Sequence, residues 1–459
     1  MLFSSITFIY FFLPLLLFTY FVTPNRYKNI ILLIFSLIFY FLGEPKYILL
    51  LLSSSIITYF LSKKLETSKY KTKILIIALI YNIGQLLIFK YTDFFIHNIN
   101  IIFNTEINYL YLMLPLGISF YTFQNISYII DVYKKRHTRA KNIIEYLTYI
   151  TFFPQLIAGP IVRYIDIKKD LNNRKSTFTT FSEGIKRFTI GLSKKILIAN
   201  VIGEITKNIL TQTVISSWLK PILYTLQIYF DFSGYSDMAI GLALMFGFKI
   251  KENFNYPLIA TSITDFWRRW HISLSSWFKD YIYIPLGGNK VKTTKWIRNI
   301  VIVWLLTGFW HGANYNFIIW GIYFGLLLII EKKFIKKYLD KTKVTKYIYT
   351  SIIIIISFLI FNTTELNELT INLKNMFFIN KIPLINNEIL FHLRNNIILI
   401  IISILAATPI PKYIIYKLKT TKLNKLINIL EPITYILLLI LTTAFLLDES
   451  FNPFLYFRF

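Results

Sequence analysis

Apolar runs close to the length of a bilayer crossing recur along almost the whole chain, at 5–22, 29–43, 46–62, 73–89, 109–130, 146–162, 219–246, 297–309, 313–330, 347–361, 395–410 and 433–447. A helix needs about 20 residues, at about 1.5 Å of rise each, to cross a hydrocarbon layer of about 30 Å. Such punctuation leaves few folds open, because backbone groups inside a bilayer must be satisfied within helices or a closed barrel. The expectation is an all-α polytopic membrane protein of about ten or eleven transmembrane helices, forming one membrane domain over residues 1–459. The first run is too aromatic, and too quickly followed by further spans, for a cleaved signal peptide. No low-complexity tract, soluble appendage or clear internal repeat is present.

Composition agrees. Hydrophobic residues make up 55% of the chain and aromatics 18%, above the roughly 45–50% apolar content of a soluble domain. The net charge of +27 does not imply nucleic acid, because its lysines alternate with apolar runs, as short cytoplasmic loops beside anionic lipid require. The basic segments 63–73, 134–141, 331–346 and 412–425 are therefore placed inside, and 90–109 and 362–392 outside, which puts both termini outside. Cysteine is absent, which excludes disulfides, thiolate metal sites and a thiol acyl carrier.

Two stretches break the alternation of spans. FFPQLIAGPIVRY (152–164) is apolar but runs into RYIDIKKDLNNRK, and Pro154, Gly159 and Pro160 interrupt a straight helix, so it is expected to turn back within the membrane. The other is 297–330, with basic residues on both flanks and GFWHGAN in the middle. Its first arm, 297–309, supplies only about 20 Å of helix, so the tip carrying His311 is expected at membrane depth, where irregular backbone must be buried or line a wet cavity. All eight tryptophans fall between Trp218 and Trp320, so one region is built differently from the rest.

Three polar groups stand out there. FWRRWHISLSSWFKDYIYIPLGG (266–288) interleaves Trp267, Trp270, Ile272 and Leu274 with Arg268, Arg269 and Lys279; it suits a helix lying in the cytoplasmic interface, where His271 would be an ordinary interfacial histidine. His311 fits a cavity-facing functional imidazole, since ionisable side chains within a membrane are costly; a buried histidine satisfied by a carbonyl, beside a helix admitted closely by Gly308 and Gly312, is the other reading. QIYFDFSGYSD (227–237) sets Gln227, Asp231, Ser233, Tyr235 and Asp237 in an apolar span, with carboxylates able to orient a histidine or hold a cation. No phosphate-binding loop, HExxH, paired CxxC or EF-hand loop occurs, and no metal site is expected. No histidine is followed by aspartate five residues on, which argues against the glycerolipid acyltransferase pattern, whereas a triad of Ser233 or Ser236 with His311 stays open.

The motifs LPLGISFYTFQNISYIIDVY (114–133), FFPQLIAGPIVRY, QIYFDFSGYSDMAIGLALMFGF, NFNYPLIA, FWRRWHISLSSWFKDYIYIPLGG, GFWHGANYNFIIWG and the terminal FLYFRF, in that order, resemble the membrane-bound O-acyltransferases, in the bacterial branch of alginate O-acetylase and peptidoglycan O-acetyltransferase. The resemblance runs almost end to end, apart from 362–392 and 412–432. It implies re-entrant and interfacial helices around a central funnel, and an acyl group, acetyl in the first instance, taken from cytoplasmic acetyl-CoA and passed outward. It implies His311 as the catalytic base and His271 as a second functional histidine, and neutral imidazole suits a hydroxyl attacking a thioester. Arg268, Arg269 and Lys279 are donor-binding candidates, although solvated topology signals explain most such cations equally well. Tyr456 in the terminal motif is a proposed acyl relay, since a phenolic ester stays activated for a second transfer; the other reading of the tail is an interfacial anchor. Membrane lipids, a periplasmic or extracellular esterase-like O-acetyltransferase and a cell-envelope polysaccharide are the implied partners, with peptidoglycan or an alginate-like glycan as acceptor and the bacterial inner membrane as location. D-alanyl transfer to teichoic acid, a polysaccharide or acyl transporter, and a non-catalytic assembly protein are the alternatives.

Overall fold

The computed structural model describes residues 1–448, and the regular elements of these residues are helices joined by irregular segments. The terminal FLYFRF, with Tyr456, lies outside the described residues. Among the described residues, six helices are long and apolar enough to cross a bilayer: Asn25–Gly43, Pro45–Thr67, Lys71–Phe103, Thr345–Asn362, Asn387–Ala406 and Asn424–Asp448. The remaining apolar runs fall in helices that are shorter, interrupted or more polar, among them Phe8–Val22 and Val214–Met245.

The chain forms two compact units, Met1–Phe188 with Tyr235–Lys251, and Thr189–Gly234 with everything from Glu252 onward. At the centre of the first lies Ile118–Tyr133, buried along nearly all its length. That helix starts nine residues later than the apolar run, because Pro115 and Gly117 precede it and Gly117 adopts φ +71°. Its Asn125 accepts from Tyr146 at 2.6 Å and donates to Asn82 at 3.0 Å, and Asn82 donates to Thr58 at 3.0 Å. Buried amides and hydroxyls of this kind hold apolar helices together where lipid supplies no hydrophobic drive. The interruption expected near Pro154 is present: Ile143–Thr151 ends at Phe152, a single turn Phe153–Leu156 follows, and helix resumes at Tyr164–Asn173.

A helical stretch between 178 and 208 carries no counterpart among the apolar runs. Phe178–Ser193 continues through a π-helical turn, Lys194–Asn200, into Val201–Asn208. Lys186, Arg187, Lys194 and Lys195 mask it from any hydropathy count. In the first unit Arg187 pairs with Asp237 at 2.7 Å. In the second, Lys195 pairs with Asp231 at 2.7 Å, both side chains almost wholly buried.

Candidate active site

The second unit contains the His311 hairpin, Thr293–His311 followed by Tyr315–Ile330. The first arm begins four residues before the apolar run and ends on His311 itself, so at 19 residues it is about 28 Å long. Its length is that of a near-complete crossing, which removes the short-arm argument for the depth of His311. The arms approach closely at two glycines. A Cβ on Gly308 would stand 2.3 Å from the carbonyl oxygen of Phe317, and one on Gly321 would stand 2.4 Å from that of Trp304. Gly312 leaves room for the Phe317 ring, 2.2 Å from where its Cβ would be.

His311 is buried to 2% exposure. Trp310, Trp320 and Phe361 meet its ring edge-on, with centroids at 4.9, 4.9 and 5.2 Å. Phe361 reaches the imidazole because Asn316, at the start of the second arm, donates to the Phe361 carbonyl at 2.8 Å and ties the hairpin tip to the end of Thr345–Asn362.

FWRRWH is not a single interfacial helix. It divides into Ile263–Arg269 and Ile272–Phe278, with His271 between them at φ +44° and wholly buried. The tryptophans face protein: Trp267 packs on Trp304 at 4.7 Å and Phe324 at 5.0 Å, and Trp270 packs on Phe254 at 5.1 Å and Phe358 at 5.2 Å. An apolar stripe on a short helix serves an aromatic core as well as it serves lipid, and here the core takes it. Phe232 lies 4.7 Å from the His271 ring, and Trp310 lies 5.9 Å from it, so Trp310 touches both histidines. His271 lies between two seven-residue helices that are too short to span, and burial holds its imidazole well below the usual histidine range.

Glu331 holds this arrangement in place. Placed among cytoplasmic loop residues by charge counting, it is 1% exposed. Its carboxylate accepts from the backbone of Ile263 at 2.6 Å, and from Thr264 through N–H at 3.1 Å and hydroxyl at 2.7 Å. A carboxylate just past the second arm thus caps the helix that leads to His271. The only signal in the sequence was an acid opening a run of lysines.

The acids of 227–237 each meet a cation within their own unit. Gln227, Asp231 and Ser233 belong to the second unit, where Asp231 takes Lys195, and Asp237 belongs to the first, where it takes Arg187. Charge counting missed both cations. Gln227 lines a cavity of about 370 Å³ together with Lys207, Lys220, Tyr224, Glu368 and Asn372. Phe358 and Leu359 form part of its wall, on the helix whose Phe361 touches His311. Of the donor-binding candidates, Arg268 and Lys279 are exposed, and Arg269 pairs with Asp265 at 2.9 Å. Among the described residues, no three histidine, aspartate or glutamate side chains gather as metal ligands.

Residues 137–367 match the membrane-bound O-acyltransferase family. The chain is 40% identical over 378 residues to the probable alginate O-acetylase AlgI of Pseudomonas aeruginosa, covering 80% of this chain and 73% of that protein. It is 37% identical over 427 residues to the peptidoglycan O-acetyltransferase of Helicobacter pylori, covering 84% and 81%. With the teichoic acid D-alanyltransferase of Bacillus subtilis it shares 33% identity over 246 residues, covering 49% and 61%. The chain belongs to the membrane-bound O-acyltransferase family. It is an O-acyltransferase enzyme of that family, related to the alginate and peptidoglycan O-acetyltransferases.

Proposed function

We propose that the chain moves an acetyl group from cytoplasmic acetyl-CoA to an outward-facing acceptor, for O-acetylation of peptidoglycan or an alginate-like polysaccharide of the bacterial cell envelope. The observation that carries this reading is His311, a buried imidazole on a helix end enclosed by aromatic edges, in a helix framework that shares a wall with a polar cavity. In this reading His311 takes the proton of the attacking hydroxyl as it meets the thioester carbon, and CoA leaves as the thiol. His271 is the second imidazole of the site, and Arg268 and Lys279 meet the phosphates of CoA from the cytoplasmic side.

The acetyl assignment over D-alanyl draws support from the extent of the likeness, 80–84% of the chain with the acetylases named above and 49% with the D-alanyltransferase. The cavity rim residues Glu368 and Asn372 belong to the segment that charge counting puts outside, which suits an acceptor entering from that side. Tyr456 serves as the relay, its phenol oxygen forming the ester and passing the acetyl group to an esterase-like transferase beyond the membrane. Purified protein given acetyl-CoA should release free CoA, and His311→Ala should stop it. Tyr456→Phe, which keeps the ring and removes the oxygen, should block glycan acetylation; normal acetylation in that variant would reduce the tail to an anchor.

A further inference from the structure

We infer that Asn253 is a positioning residue which holds His271 in its Nδ1–H tautomer, so that His271 meets substrate as a hydrogen-bond acceptor through Nε2. The inference rests on reading His271 as part of an acyl-transfer site, and it assigns a direction to that residue's chemistry.

The proton can be placed by elimination. Asn253 Oδ1 accepts the backbone N–H of Ser273 at 3.1 Å. Only the oxygen end of an amide accepts, so this contact orients the Asn253 side chain. The Ser273 hydroxyl lies 2.8 Å from the same oxygen and 3.5 Å from His271 Nδ1, so its proton goes to the nearer oxygen. His271 Nδ1 lies 3.2 Å from that oxygen. Two acceptors do not bond, so Nδ1 carries the hydrogen. In a neutral imidazole the other nitrogen then carries the lone pair.

Backbone contacts make the arrangement rigid. Ile272 N–H donates to the Asn253 carbonyl at 2.9 Å, and Asn255 N–H donates to the Arg269 carbonyl at 2.9 Å. The chain at 253–255 therefore runs beside 269–272 and clamps His271 between its two contacts. That clamp holds a non-glycine residue at φ +44°, a conformation that persists only where its surroundings over-determine it. Asn253 is itself wholly buried, so water does not compete for its oxygen.

The chemical consequence is specific. An imidazole presenting a lone pair cannot donate to the oxygen of a thioester carbonyl, so His271 does not stabilise the oxyanion. It receives a hydrogen bond from a hydroxyl or amide N–H of the bound substrates, and so sets their orientation toward His311.

Nuclear magnetic resonance of the full-length enzyme in nanodiscs, with 15N-labelled histidine and His271→Gln to assign the signals, reads the tautomer without any assay. The expected spectrum has a proton-bearing Nδ1 and a bare Nε2. Asn253→Leu should lose that signature and lower kcat with acetyl-CoA by about 10²-fold, at the low end of what a positioned base contributes, with KM little changed. Asn253→Asp keeps an oxygen for Ser273 and His271 and should restore the signature and most of kcat. A proton on Nε2 in the wild type overturns the inference, as does an Asn253→Leu enzyme that loses thermal stability alone. Should acetyl-CoA not be the donor, the activity readouts fail while the wild-type spectrum still decides the tautomer.

Discussion

The hairpin at 293–330 and the C-terminal helices Asn387–Ala406 and Asn424–Asp448 are all apolar, but they put that apolar surface to different use. The C-terminal pair is buried over little of its length, and Ile398, Leu437 and Ile440 stand 72%, 60% and 60% exposed. In the hairpin Trp304, Trp310, Phe317, Trp320 and Phe324 are all buried. A helix that meets lipid needs only to be apolar, because hydrocarbon accepts any apolar side chain and has no shape to match. A helix that encloses an imidazole needs particular shapes: glycines where backbones touch, broad rings for walls, and a buried carboxylate to fix its neighbour. Mutations in the hairpin should therefore be costly and specific, and those in the C-terminal helices nearly silent.

The largest expected effect is on catalysis. His311→Ala should lower CoA release by about 10²–10⁴-fold, the usual contribution of a positioned base, while membrane insertion and the gel-filtration profile stay as in the wild type. Near-normal turnover would remove His311 from the site.

Next in size is the buried pair of Lys195 and Asp231. Removing one partner of such a pair costs about 3–5 kcal/mol, while replacing both with apolar residues comes out near neutral. Thermal unfolding in detergent should thus show Lys195→Met strongly destabilised and the double variant Lys195→Met with Asp231→Leu largely recovered. Additive losses would mean that the two charges act separately.

Glycines sharpen the contrast between shaped and unshaped surfaces. Gly321→Leu would drive a side chain into the Trp304 carbonyl and should destabilise by at least the roughly 1–3 kcal/mol of ordinary overpacking. Gly84 has nothing within 4 Å of its would-be Cβ, so Gly84→Ala should be neutral or stabilising by up to about 1 kcal/mol. Paired melting curves would test both.

His271 adds a smaller, pH-dependent term. Its native imidazole titrates below the usual range, while in the unfolded chain it takes a proton near pH 6.5. Below that pH the unfolded state binds a proton that the native state refuses, so stability falls as pH falls, by at most about 1.4 kcal/mol per pH unit. His271→Asn, which tolerates a positive φ, should flatten the slope between about pH 6.5 and 5; an unchanged slope would assign it to other groups. Smallest of all, Leu437→Ala on the exposed face should stay within about 0.5 kcal/mol of wild type, and a larger loss in the same unfolding assay would show that protein and not lipid covers that face.

Particular residues show how far the sequence could be read. His311 was visible because a lone imidazole between two apolar arms is conspicuous. The breaks at Pro154 and Gly159 were visible because proline and glycine act locally. Lys195 and Arg187 were not, since a hydropathy count treats every lysine and arginine as solvated and cannot see that Asp231 and Asp237 neutralise them. Glu331 was hidden by the same habit, an acid among lysines, although its partners are backbone N–H groups that leave no mark in a sequence. FWRRWH misled in the other direction, because apolar stripe and flanking cations look alike whether the stripe meets lipid or a neighbouring ring.

The sequence alone determined what depends on composition and spacing: the helical membrane class, the absence of thiol chemistry, and the family, whose motifs are contiguous strings. Tertiary structure decided what depends on partners far apart in the chain: the left-handed turn at His271 under Asn253, the cap on Ile263 from Glu331, and the pairing of Asp231 with Lys195 and of Asp237 with Arg187. The reason is physical. Hydropathy adds residue by residue, whereas hydrogen bonds, ion pairs and close helix contacts exist only between groups that folding brings together.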